Sequence, residues 1–131
     1  MPIIRRFDEI EAWKKARELT KSVYNLSGNG SFAKEFALRD QIRRASVSIM
    51  ANTAEGFERD GPAEFIQFLA IAKASAAEVL SHAYVALDQD FISKEDFDRL
   101  FAQTSDVGRM LAALMMYLRR SGTKGLKFKV V

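Results

Sequence analysis

The sequence predicts an all-α protein, a single antiparallel up-down-up-down four-helix bundle. Three observations predict it. Apolar residues recur every three or four positions along four long segments. The connections between segments are short, which makes successive helices antiparallel neighbours. A length of 131 residues with 48% hydrophobic content supports one real core in one domain. The bundle is expected over about residues 8–120 of a domain spanning 1–131, with a basic tail over 121–131.

The first helix is expected to start at Asp8, which can accept a first-turn N–H, with Glu11 three residues on completing a capping box. Ile10, Trp13, Ala16, Thr20 and Val23 then recur at helical spacing, and SGNGS (Ser27 to Ser31) ends the run. Trp13 is expected as a core anchor, level with Met115. The second helix is expected from about Phe36 to Phe57. Its seam is Leu38, Ile42, Ala45, Ile49 and Asn52, and Gly56 stands near the end, where a left-handed residue costs little. RDGP (Arg59 to Pro62) makes a tight turn, with Pro62 suited to the first position of a third helix reaching about Asp88. Ser93 is expected to cap the fourth helix, with Asp96 at the third position, and Gly122 to stop it. The tail GLKFKVV (Gly125 to Val131) alternates apolar and basic residues and could pair as an edge strand or simply fray.

Charge is distributed unevenly. The net charge is +3, yet residues 7–118 hold 13 Lys and Arg against 17 Asp and Glu. Arg5, Arg6, Arg119, Arg120, Lys124, Lys127 and Lys129 flank this acidic body. In an up-down-up-down bundle both termini lie at one end, so these seven cations form a basic end that could take an anionic partner, RNA or DNA. Solvated termini with no partner are the alternative. There is no cysteine and no run of ~20 apolar residues, and no secretory leader is expected in MPIIRRF, so the expectation is a cytoplasmic protein that does not enter the membrane.

The middle of the second helix, RRASVSIMANTAEGF, is built from small and polar residues, as is AIAKASAAE in the third. Small side chains let helix axes approach closely. Across the RDGP turn, residues whose numbers sum to about 119 lie at equal depth, which sets Arg44 level with Ser75, Gln41 with Glu78 and Asn52 with Gln67. Gln41, Arg44, Ser48, Asn52 and Glu55 form a polar line on the second helix, and Ser75 and Glu78 share a face of the third. This predicts a structural polar network in which a half-buried Glu78 pairs with Arg44, Gln41 or both. Val47, Ile66, Ile71, Val85, Met110 and Tyr117 fall off the seams, so a lone bundle would expose apolar groups that an oligomer can bury.

QIRRASVSIMANTAEGF (Gln41 to Phe57), followed by EFIQFLAIAKASAAE (Glu64 to Glu78), resembles the four-helix bundle family encoded by intervening sequences in bacterial 23S ribosomal RNA genes. FDEIEAWKKARELTKSVY at the start, the SKEDF cap and GRML extend the similarity from about Phe7 to Leu118. The resemblance implies an antiparallel bundle that assembles as a homopentamer. Related bundles act as accessory proteins of diversity-generating retroelements and look like nucleic-acid binders. The signature residues carried over are Gln41, Arg43, Ser48, Asn52, Glu55, Gly56, Ser75 and Glu78, none of them catalytic. Met50 stands where the family usually has proline, Leu80 and His82 where it tends to have Glu and Gln, and the tail has no counterpart.

The residues argue against an enzyme. A di-iron bundle needs Glu-x-x-His twice plus further carboxylates, and His82, four residues after Glu78, is the single histidine. Ser48 has no base nearby and no Gly-rich loop follows a strand. No metal, cofactor or catalytic residue is expected. Two binding functions remain: a nucleic-acid-binding oligomer, or a protein-interaction or scaffolding bundle with no nucleic-acid role.

Overall fold

The computed structural model describes residues 3–121. Helix α1 spans Glu11–Ser27, α2 Phe36–Phe57, α3 Pro62–Asp88 and α4 Lys94–Ser121. Short 3-10 turns, Phe7–Glu9 and Phe32–Lys34, lead into α1 and α2. α2 packs on α1 and α3, and α4 packs on α3 and α1, so the four helices close a ring around one core. The architecture is the all-α four-helix bundle that the periodicity predicts, and no described helix is long and apolar enough to cross a membrane. The expected stop at Gly122 and the edge strand over the tail lie outside the described residues.

The core pairs large residues with small ones. Leu19 and Val23 of α1 and Leu100, Val107, Leu111 and Leu118 of α4 are fully buried. α3 sets Ala72, Ala76, Ala83 and Ala86 along the same inner line as Phe65, Leu69 and Val79, and α2 sets Ala45 and Ser46 between Ile42 and Ile49. Alternating sizes across facing positions fill the space at close-packed density. Ser46, Thr53 and Thr104 sit in this core because each hydroxyl donates to a carbonyl of its own helix: Ser46 to Arg43, Thr53 to Ile49 at 2.8 Å, and Thr104 to Leu100 at 2.9 Å.

Four local expectations need correction. Asp8 does not cap α1. It lies in the 3-10 turn, its carboxylate takes the Arg6 guanidinium at 3.0 Å, and the helix starts at Glu11 after an extended Ile10. An adjacent cation competes for the carboxylate that would otherwise take the backbone N–H. The α2 seam runs through Thr53, which is fully buried, and Asn52 is only half-buried, its amide bonded back to Ser48. Ile66, Met110 and Tyr117 pack against the core as half-buried groups, whereas Val47, Ile71 and Val85 are exposed. Trp13 is half-buried rather than enclosed, with the Phe7 ring edge-on at 5.3 Å.

The helix starts follow local chemistry elsewhere. Gly61 holds φ at +144°, a region that L side chains rarely adopt, and Pro62 then opens α3. At α4 the Asp96 N–H donates to Ser93 Oγ at 3.0 Å. Ser93→Ala is expected to cost about 1 kcal/mol through the lost cap. Urea unfolding checks it, and an unchanged midpoint would show that the exposed Ser93 hydroxyl contributes nothing.

Candidate nucleic-acid interface

Two features gather the candidate site's polar and charged side chains. The first is the polar line of α2 facing α3. Ser48 and Ser75 hydroxyls are 2.9 Å apart, and the Asn52 amide donates to both the Ser48 carbonyl and its hydroxyl at 2.9 Å. Gln41, Arg44, Ser48 and Glu78 line one open groove beside this junction. Glu55 pairs instead with Arg59 of the following turn at 3.5 Å.

Glu78 departs from the expected network. It is exposed, and its carboxylate faces His82 Nε2 at 3.7 Å; no ion pair joins it to Arg44 and no hydrogen bond to Gln41 among the described residues. The axial offset explains the change. The close α2–α3 pair is Ser48 with Ser75, whose numbers sum to 123 rather than 119. Side chains lean toward the N-terminus of their own helix, which in an antiparallel pair raises the sum at contact by about two. Water therefore solvates the carboxylate, and no buried ion pair forms. Ser48 Oγ is bonded to a hydroxyl and an amide, neither of which can take its proton at neutral pH. Among the described residues no group of three His, Cys, Asp or Glu could hold a metal ion.

The second feature is the end where α1 starts, α2 turns into α3 and α4 finishes. Much of its charge is already answered. Arg6 pairs with Asp8, and Arg59 reaches Glu55 and, at 3.9 Å, Glu64, while lying over the Phe68 ring at 4.9 Å. The Arg5 backbone N–H donates to Glu9 at 2.8 Å. Arg119 and Arg120 are exposed on the last turn of α4, with no acid within 4 Å among the described residues. Arg5 lines a groove with Met110, Ala113 and Leu114 of α4, so it sits roughly one and a half to two and a half turns short of Arg119 rather than beside it. Lys124, Lys127 and Lys129 lie outside the described residues.

The family model for the 23S rRNA-intervening sequence protein matches residues 8–113, most of the chain and all but the last turns of α4. The chain belongs to this family. A solved structure from Bacteroides thetaiotaomicron, described as a protein with unknown function from the S23 ribosomal protein family, superposes with a TM-score of 0.73. It is 24% identical, and the match covers 79% of this chain and 97% of that one, so it speaks for the fold. No curated protein matches the sequence.

Within this intervening-sequence protein, one junction is not legible from the sequence. Arg43 Nε donates to the Ser27 hydroxyl at 2.7 Å, and its guanidinium lies 4.5 Å over the Tyr24 ring. Thr20 likewise reaches the Ser46 carbonyl and the Met50 sulfur, so Met50 takes a contact to α1 inside an unbroken α2. The resemblance marks Arg43, but the polar line through Arg44 points to α3. An i, i+3 pairing of Tyr24 with Ser27 opposite an arginine is the available signal.

Proposed function

We propose that this protein is a non-enzymatic, cytoplasmic, oligomeric bundle that binds nucleic acid, RNA or DNA, through its basic end. The observation that carries the reading is Arg119 and Arg120, exposed on the last turn of α4 with no acidic partner within 4 Å among the described residues. Exposed, unanswered cations are what a phosphate backbone recruits, and they confer little base preference. Lys124, Lys127 and Lys129 follow in sequence with no acid among them. Self-assembly would gather such ends: with seven terminal cations per chain, a pentamer, the number that the resemblance implies, presents about 35. Exposed Val47, Ile71, Val85 and Met116 support assembly, because a closed ring buries such groups.

The same exposed apolar groups favour a second reading, a protein-interaction or scaffolding bundle with no nucleic-acid role. One experiment separates the two. Arg119, Arg120, Lys124, Lys127 and Lys129 are replaced by Gln, native mass is measured, and binding to mixed RNA and DNA is followed across a salt series. The proposal expects a wild-type assembly near five times 14.8 kDa, loss of binding in the variant and an intact oligomer. Unchanged affinity and salt slope would remove the basic end from the mechanism. A wild-type protein that no nucleic acid retains at low salt would leave the scaffolding reading, and a mass of 14.8 kDa would end the oligomer.

A further inference from the structure

The body of the bundle has its own cationic lane. Lys14, Arg17, Lys21 and Tyr24 step by three, four and three along α1, so they share one exposed line about 15 Å long. Glu11 and Glu18 border the line, and both are exposed. Lys14 pairs with Glu11 at 3.1 Å, but Arg17 and Lys21 have no acid within 4 Å among the described residues. An aromatic ring stands at each end of the line, Trp13 before Lys14 and Tyr24 after Lys21. The Arg17 guanidinium lies 5.8 Å from the Trp13 ring centre, and Arg43 from α2 lies 4.5 Å over Tyr24. Tyr24 nevertheless stays 44% exposed. Arg43 is held from behind by Ser27, which fixes the stacked pair at the far end of the lane from the chain terminus.

We infer that this α1 line is a single-strand binding lane: Lys14, Arg17 and Lys21 track consecutive phosphates, and an unstacked base packs on the Tyr24–Arg43 pair. Cations at helical spacing with an exposed ring beside them are the combination that holds single-stranded nucleic acid, since every base has a π-face and the backbone carries the charge. A duplex keeps its bases inside the stack and cannot use the ring. The ordered guanidinium and ring lose little freedom when a base arrives, because packing already holds them. The inference rests on the nucleic-acid reading above, yet names a different surface and a single-stranded partner.

The test measures binding of the full-length protein to oligouridylate and to a duplex RNA of equal length across a salt series. Arg17→Gln with Lys21→Gln should flatten the single-strand salt slope by about 1.4, at about 0.7 per lost phosphate contact. Tyr24→Ala should weaken oligouridylate about tenfold and leave the duplex unchanged, while Tyr24→Phe retains binding. All three positions are exposed, so the fold does not depend on them. If these variants bind like wild type while Arg119→Gln with Arg120→Gln does not, the lane is wrong and the basic end stands. Loss in the α1 variants alone supports the lane and removes the end. Equal loss of duplex and single strand in Tyr24→Ala would overturn stacking, and a wild-type protein that binds neither would overturn both.

Discussion

Ile49→Ala is expected to lower the unfolding free energy by about 3–4 kcal/mol. Ile49 is fully buried at the middle of α2. Its own inner face continues one turn either way into Ala45 and Thr53, both small and both buried. Around such a position the backbones are already close, so little is left to collapse into the void. The cost therefore combines the lost transfer free energy with an open cavity and lies well above the low end of the range for such truncations. Ile49→Val, one methylene smaller, should cost about 1 kcal/mol. Urea unfolding of the three proteins checks the series. A loss below about 1 kcal/mol for the alanine variant would mean that the helices do close on the gap.

Gly56→Ala is expected to destabilise by about 2 kcal/mol, against helix propensity. Propensity alone predicts a gain of up to about 1 kcal/mol, because glycine is the poorer helix former. Packing decides the sign. A Cβ on Gly56 would stand 2.7 Å from Phe68 Cβ, 3.0 Å from Phe65 Cδ1 and 3.3 Å from the Phe65 carbonyl oxygen. Phe68 Cβ and the Phe65 carbonyl are anchored to α3, so relief requires the helix to move. Gly108, helical on α4, is the control. A Cβ added there would meet nothing within 4 Å, so Gly108→Ala should stabilise by up to about 1 kcal/mol. Thermal unfolding reads both as midpoint shifts of opposite sign, with Gly56→Ala falling by roughly 5–10 °C. A rise for Gly56→Ala would mean that α2 and α3 can separate at that depth without cost.

The reach of the sequence differs between elements and contacts. α2 and α3 start and stop where turn residues and periodicity place them, since RDGP and the run from Phe36 to Phe57 encode local hydrogen bonding and burial. The Ser93 cap is equally legible, because a cap involves four consecutive residues. The start of α1 is not. Asp8 satisfies the capping pattern, but Arg6 two residues away takes its carboxylate, a choice that spacing alone does not reveal. On the candidate site, the polar line from Gln41 to Glu55 is visible in the sequence as a line, while its partners across the groove are not.

Helix number, order, direction and core-facing residue types were determined by the sequence itself, because each depends on interactions within a turn or two of chain and on short connections. The tertiary structure alone decided which polar groups meet. An offset of a few residues in the sum across α2 and α3 joins Ser48 to Ser75 and leaves Glu78 to His82 and water. The rotation of α1 against α2 sets Arg43 on Tyr24. The tight approach at Gly56 turns an apparent helix terminator into a packing contact with Phe65 and Phe68. Each of these depends on the separation, rotation and axial offset of two helices, quantities settled by how all the side chains of the core fill space together.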